Sequence, residues 1–501
     1  MARQGEVRLS KSKYMACIQC PKLLWWQVYE PDAPELQADS AQQFIFDRGH
    51  EVGRVARAHV PGGVLIDVPR EEPERRLRET AEALRAGATV LYEAAVEHDG
   101  VTVLADILER GRRGWNLIEV KSTTRVKPQH LSDVTVQAHV LRSAGFEVRR
   151  AELMHLNRDC RHPDLSNLFL REDLTQEVDD AIDAVPGAIR ALRKALAGPL
   201  PEVRVGGHCH DPYECPFLER CWPKAPPHAI GSLYRLLSAD RERYEASGFR
   251  AILDLPEDEP LSDIQRRQRA ALRRGGMVVE PGLGAALAAF EPPFAYLDFE
   301  TVAPPIPVWK GCRPYDQVPV QVSVHREGPG GDRSRAPGGD LIHLEWIADG
   351  PADPREALAR KVIEFTAGAK TILAYNAPFE KQCIRHLIEQ LPHLTAQLES
   401  VEQRLADLLP AVREHVYHPD FAGGFGLKRV APVLAPDVRY AGGEVADGEM
   451  ASRLLCDLLL KGDAIEEGER RRVRGLLLAY CRMDTQALVQ VHRTLARLAA
   501  R

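Results

Sequence analysis

The segment VTVLADILERGRRGWNLIEVKS, from Val101 to Ser122, constrains this chain more than any other stretch. It reads as two adjoining strands, Val101–Leu108 and Trp115–Val120, with polar chemistry built into both. Asp106 interrupts the apolar run of the first, and Glu119, Val120 and Lys121 close the second. Residues two apart on a strand share a face, so Glu119 and Lys121 project together while Val120 faces the other way. A hard cation such as Mg²⁺ prefers carboxylate oxygens, and Asp106 on the neighbouring strand supplies one. A Glu-X-Lys triplet alone is common on surface strands; the acid inside an apolar run gives this one weight.

At 501 residues the chain exceeds one ordinary core, so two or three domains are expected. Its 66 basic and 72 acidic residues leave a net charge of −6, so any grip on nucleic acid has to come from local basic surface. The opening MARQGEVRLSKSKYMACIQC lacks the apolar core of a secretion signal, and no apolar run reaches bilayer-spanning length. A cytoplasmic protein with no membrane partner is expected. Ten cysteines in that compartment point to metal binding, or to ordinary buried small residues, rather than to disulfides.

Up to about Pro227 the text is mixed helix and strand: a helix from His130 to Ala144 stopped by Gly145, a strand at Ala151–Leu156, and a helix from Asp173 to Ala197. Ile230–Met277 is charged and helical, and its basic end, RRQRAALRR, is read as a solvated face. Composition changes around Glu291-Pro292-Pro293. Beyond it, Phe294–Thr301, Leu341–Ile347 and Thr371–Tyr375 read as strands, with helices after Phe379 and through Glu469–Ala499. Gly328–Gly339, GPGGDRSRAPGG, is expected to be a flexible loop.

Asp106 and Glu119 suit a divalent ion that lowers the pKa of water and neutralises phosphate charge, while Lys121 orients the water or steadies the transition state. Downstream, Asp133 and Gln137 fall four apart on one helix face. This order resembles the RecB-type branch of the PD-(D/E)XK nucleases, in which a glutamine-bearing helix follows the catalytic strands. The resemblance implies a catalytic role for Asp106, Glu119, Lys121 and Gln137, with Asp106 and Glu119 as metal ligands. It also implies an upstream acid on the first core helix; Glu51 in DRGHEVGRVA is the candidate and His50 its rival. Family members often add a tyrosine four residues after the glutamine, where this chain has Leu141.

Cys209, Cys215 and Cys221 recur with five residues between successive members in HCHDPYECPFLERCWP, and Cys20 lies near the other end of the same domain in CIQCPKLLWW. Four thiolates there would tie the domain's first and last segments together. Zinc is the competing metal, although only Cys17/Cys20 has knuckle spacing; buried cysteine is the bland reading. The arrangement resembles the iron–sulfur nuclease domains of AddB-type and CRISPR-associated RecB-like proteins, where one early cysteine joins three late ones. That resemblance implies a mainly structural [4Fe–4S] cluster on Cys20, Cys209, Cys215 and Cys221. The early ligand there is followed by proline, which selects Cys20 over Cys17.

In FAYLDFET, alternation puts Asp298 and Glu300 on one face and Leu297 and Phe299 on the other. Such a pair on an apolar strand costs desolvation unless a cation compensates. ILAYNAPFEKQCI then turns from strand to helix with Glu380, and AYCRMDTQAL sets Tyr480 and Asp484 one helical turn apart on one face. Four carboxylates with a tyrosine one turn before the last resemble the DEDDy exonucleases of the RNase H-like fold, over most of Phe294–Ala499. The resemblance implies two metal ions, Mg²⁺ or Mn²⁺, on Asp298, Glu300, Glu380 and Asp484, with Tyr480 positioning the attacking water. Glu380 stands where the family has aspartate, one methylene longer. Asp407 in LADLLPAV is an alternative acid, read first as a structural group at a helix N-terminus.

The expected architecture is therefore α/β: a restriction-endonuclease-like PD-(D/E)XK domain over 1–229, a helical connector over 230–290 and an RNase H-like DEDD exonuclease domain over 291–501. The combined order resembles a bacterial family of RecB-like fusion proteins. It implies metal-dependent, exonuclease-like phosphodiester hydrolysis, on DNA in preference to RNA. The rivals are a nucleic-acid-binding or adaptor protein with a non-cutting second domain, and an RNA-processing enzyme. No G-x₄-G-K-[ST] loop occurs, so a helicase would be a separate partner.

Overall fold

The computed structural model describes residues 8–222, 224–328, 341–438, 444–445, 447–461 and 464–501. The loop expected over Gly328–Gly339 lies outside the described residues from position 329 onward. The chain is α/β with mixed sheets, and its contacts divide it into two compact units: unit 1 is Met1–Pro223 with Pro304–Tyr315, and unit 2 is Lys224–Ala303 with Asp316–Arg501.

Unit 1 is built on β1 (Leu9–Ser10), β2 (Val64–Leu65), β3 (Val90–His98), β4 (Val101–Gly111), β5 (Gly114–Lys121), β6 (Val148–Leu156) and β7 (Phe169–Asp173). They form one seven-stranded sheet in the order β2-β3-β4-β5-β6-β7, with β1 beside β4. β3, β4 and β5 run antiparallel, whereas β5 and β6 are parallel, as are β1 and β4. The helices that matter for the site are α1 (Lys11–Gln19), α2 (Pro21–Tyr29), α3 (Ser40–His59), α4 (Pro73–Arg85) and α5 (Pro128–Ser143). Proline opens α5, where its missing N–H costs nothing, and Gly145 at φ +92° follows its end. Val134, Val136 and Leu141 of α5 pack with Leu24 of α2 over the sheet face carrying Leu91, Leu108 and Leu117. Ala56 of α3 and Val60 just after it cover the opposite face at Ile107, Ile118 and Met154. Burying each such leucine or isoleucine contributes about 2 kcal/mol.

The helix expected over Asp173–Ala197 is broken. Asp173 ends β7, and helices Thr175–Ala181 and Val185–Ala197 are joined by a tighter turn at Ile182–Ala184. Pro186 explains the restart: it cannot donate within a helix but fits a first turn. Residues 304–315 complete another part of unit 1. Ile306 and Tyr315 pack on Val52, Leu156, Cys160 and Leu168, and the backbones of His162, Gly311 and Cys312 pair at 2.8 and 3.0 Å.

Unit 2 holds β8 (Val278–Val279), β9 (Phe294–Val302), β10 (Val318–Glu327), β11 (Leu341–Ile347), β12 (Thr371–Ala374), β13 (Leu405–Asp407) and β14 (Val416–Tyr417). Five make a sheet ordered β11-β10-β9-β12-β13, antiparallel across β11, β10 and β9 and parallel across β9, β12 and β13. Leu297 and Phe299 of β9 pack with Leu358, Ile384 and Leu398 from three helices; Tyr296 packs with Leu488 and Val491 of the long final helix, Glu467–Ala499. Residues 230–290, expected as a connector, fall inside unit 2, and Ala271 and Leu283 share the core cluster of Tyr296. The run RRQRAALRR is a solvated face only in part: Arg266, Ala270, Arg273 and Arg274 are exposed. Arg267, Gln268 and Arg269 are buried, and their side chains reach the carbonyls of Arg413, Ser232 and Pro256 at 2.7–2.9 Å. Among the described residues, no helix is long and apolar enough to cross a membrane.

Candidate metal centres and cysteine pocket

The first cluster forms where the sheet of unit 1 parts. The ladder between β4 and β5 ends at Ile107/Ile118, and the start of β4 pairs with β1 instead. Val103, Ala105 and Leu108 pack on one face and Ile107 on the other, so the alternation slips by one residue at Asp106. Glu93, opposite it on β3, takes φ +58°, a left-handed backbone that a non-glycine residue adopts at a cost of about 1–3 kcal/mol. Freed from the ladder, Asp106 accepts a hydrogen bond through Oδ2 from Val120 N–H at 2.8 Å.

Glu119 and Lys121 do share a face, 2.6 Å apart, and α5 brings Asp133 and Gln137 to them. Lys121 Nζ donates to Asp133 Oδ2 at 2.5 Å, and Gln137 Nε2 donates to Glu119 Oε2 at 2.7 Å. The sequence reading missed Lys11. At the junction of β1 and α1, its Nζ stands 2.8 Å from Glu119 Oε1 and 3.0 Å from Asp133 Oδ1. Burial works to raise the Glu119 carboxyl, but Lys11 and Lys121 overcome it and hold that group well below the usual range. Burial, then the Glu119 charge, pushes Asp106 up to about 8. One acid is thus held ionised beside another that is pushed toward its neutral form. Glu51 and His50 lie exposed on α3, apart from this hydrogen-bond network.

The cysteine pocket joins the ends of unit 1. Cys20 sits between α1 and α2, and Cys20, Cys209, Cys215 and Cys221 line one pocket with Lys22, Trp26 and Phe217. None of the four is in a disulfide. Burial raises the Cys215 thiol, and the neighbouring Cys20, Cys209 and Cys221 add to that. Gln19 Nε2 donates to the carbonyls of His208 and Tyr213 at 3.0 and 2.6 Å, and Arg220 pairs with Glu30 and Glu35 while covering the Phe217 ring. Cys17 is partly buried against the main core and is not among the pocket's lining residues.

In unit 2, Asp298 and Glu300 on β9 meet Cys481 of the final helix, and one donor atom from each lies within 4.8 Å of the others. Burial, then Asp484, Glu300 and Glu380, raises Asp298 well above the carboxylate range, and burial followed by Asp484 brings Glu300 to about 8. Glu380, on the helix Pro378–Gln390, is 3 % exposed; its Oε2 has no hydrogen-bond partner, and burial raises it to about 8. Tyr480 accepts a hydrogen bond from Lys428 Nζ at 2.8 Å, a cation the sequence reading did not single out. Asp407 accepts from Asn376 N–H at 2.9 Å and Leu409 N–H at 3.0 Å, at the start of the helix Leu409–His415. This is the helix N-terminal position expected, and the Asp407 charge is also felt at Glu380.

A family model described as a domain of unknown function, DUF2779, matches residues 295–426. The match spans Asp298, Glu300, Glu380 and Asp407 but ends before Tyr480 and Asp484 and includes none of the first cluster. A comparison with curated proteins finds no match.

Proposed function

We propose that this chain is a divalent-metal-dependent nuclease of the cytoplasm with two active sites, acting on DNA. The observation that carries the reading is the first cluster: Asp106 turned out of its ladder, beside a Glu119–Lys121 pair fixed by Gln137. Unit 1 is then a RecB-like PD-(D/E)XK domain. Asp106 and Glu119 would hold a divalent ion, which supplies Lewis acidity and a water of lowered pKa. Gln137 fixes the Glu119 carboxylate, and Lys121 presents an ammonium to the developing phosphate charge.

Unit 2 is proposed as an RNase H-like DEDDy exonuclease. Three antiparallel strands continued by two parallel ones, with acids on the central β9, support that assignment. The unpartnered Glu380 Oε2 is a buried acceptor that a cation would satisfy. Asp298, Glu300, Glu380 and Asp484 would hold metal, and Tyr480 would orient water. One feature favours a second reading, in which unit 2 grips nucleic-acid ends without cutting: Lys428, bonded to Tyr480, is felt as a positive charge at Glu300.

The cysteine pocket is proposed to hold a [4Fe–4S] cluster with a structural role. Its four cysteines line one pocket from both ends of unit 1, and all are free thiols.

The test is a panel of end-labelled single- and double-stranded DNA and RNA, with Mg²⁺, Mn²⁺ or EDTA. Wild type should degrade DNA with metal only, and Lys121→Ala and Asp298→Ala should each remove one activity by at least about 100-fold. Unchanged degradation in both single variants and the double variant overturns the reading. Tight end-binding without cleavage at unit 2 selects the second reading, and a preference for RNA redirects the substrate.

A further inference from the structure

We propose that the acid cluster of unit 2 is also a soft-metal site, in which the Cys481 thiolate joins Asp298 and Glu300 around Zn²⁺ and so switches off Mg²⁺-supported hydrolysis there. The inference rests on the reading of those two carboxylates as metal ligands and adds a regulatory cation to it.

Sulfur is the unusual member of this set. A site for Mg²⁺ alone has no use for a thiol, because that ion takes oxygen ligands and keeps several waters. Cys481 nevertheless is buried (0 % exposed) on the final helix, one residue after Tyr480 and three before Asp484. Its Sγ stands 3.4 Å from Asp298 Oδ2. Tetrahedral zinc, with Zn–S about 2.3 Å and Zn–O about 2.1 Å, requires a sulfur–oxygen edge of about 3.5 Å. The thiol's hydrogen bond to Asp298 already spans close to that edge, and one Glu300 donor atom lies within 4.8 Å of the other two. A second feature points to a ligand. Glu380, 3 % exposed, leaves Oε2 without a hydrogen-bond partner, and its charge is felt at Asp298.

Thiolate ligation and the higher place of zinc in the divalent affinity order both favour Zn²⁺ over Mg²⁺ in such a set. On binding, the Cys481 proton passes to solvent and the sulfur lone pair goes to the ion; no oxidation is involved. Asp298 is then held in a four-coordinate arrangement and is lost to the octahedral ion that hydrolysis uses. Zinc should therefore inhibit unit 2 at concentrations far below the Mg²⁺ that supports it.

The experiment uses full-length protein and Cd²⁺ as a spectroscopic stand-in for zinc, read by the ultraviolet cadmium–thiolate band. Comparing wild type with Cys481→Ser isolates this thiol from the cysteine pocket, because the pocket is the same in both. Cys481→Ser should lose one equivalent of the band, and Zn²⁺ should bind this site and inhibit hydrolysis about 100-fold more weakly. Asp298→Asn keeps the thiol and should also lose the equivalent; both variants are first checked for an unchanged melting transition, and Cys481→Ala replaces the serine variant if that one is unfolded. An undiminished band, or zinc affinity within twofold of wild type in the cysteine variant, overturns the proposal. If the band is lost but Asp298→Ala leaves all hydrolysis intact, the zinc site stands and the exonuclease reading of unit 2 falls.

Discussion

Glu119 receives two ammonium groups at one oxygen and a glutamine N–H at the other while being 1 % exposed, so each partner compensates a charge that water cannot reach. Lys11→Met should therefore cost about 3 kcal/mol, the order expected when one member of a buried ionic group is removed. In urea titrations the double variant Lys11→Met/Glu119→Gln should cost less than the sum of the two singles. Strict additivity would mean that Lys11 and Glu119 do not interact. Lys11 was not legible in the sequence. It is 108 positions from Glu119, in a run, SKSK, that offers a second lysine; Lys13 turns instead to the Arg8 carbonyl at 3.0 Å. The pairing exists only because β1 runs alongside β4 and delivers the first residue of α1 to the gap in the sheet. Glu119, Lys121, Asp133 and Gln137 were legible, because spacings of two on a strand and four on a helix fix a shared face within one element.

Among the elements, the segment from His208 to Cys221 depends least on regular structure and most on its partners. Only short helical turns occur in it, and Gln19, Glu30 and Glu35 from the N-terminal helices hold it in place. Cys20→Ser should abolish the visible absorption and iron content of anaerobically purified protein and lower its melting temperature by about 10 °C, as expected for opening a long cross-linked loop. Cys17→Ser should keep both colour and iron. A colourless wild type with stoichiometric zinc would sink the cluster. The end of α5 was readable where Gly145 marks it, whereas its start at Pro128 lies two residues before the expected His130. β10 was not readable. Val318, Val320, Val322 and Val324 are buried, but so are Gln321, Ser323 and His325 in the alternate positions, because both faces of this strand are covered. Polar residues satisfied inside the protein, such as Ser323 bonded to Thr485 at 2.9 Å, read in sequence as a solvent face that does not exist.

For the whole molecule, the acid clusters make stability depend on pH. Asp106, Glu300 and Glu380 rise to about 8 from ordinary values of 3.8, 4.5 and 4.5, so between those limits the folded chain binds more protons than the unfolded one. Their contribution is complete below about pH 4 and is lost as pH rises through about 8. His325, His343 and His492, lowered to about 4 by burial, work in the opposite sense but finish titrating near pH 6.5. In EDTA the melting temperature should therefore fall between pH 6.5 and 8.5, and Mg²⁺ should flatten the slope. A flat profile in EDTA would show that the acids are already compensated.

The excursion at 304–315 leads to a further expectation. A fragment ending at residue 229 lacks Ile306 and Tyr315, which cover Val52, Leu156 and Leu168, so it should melt lower than the same fragment given a synthetic 304–315 peptide. No gain in melting temperature with saturating peptide would count against this. On the ribosome the same threading sets a timetable. Unit 1, although encoded first, cannot cover the Val52, Leu156 and Leu168 cluster until residue 315 has emerged, by which time the first part of unit 2 has been made. A chain interrupted before residue 304 would leave that one apolar patch of unit 1 open to water.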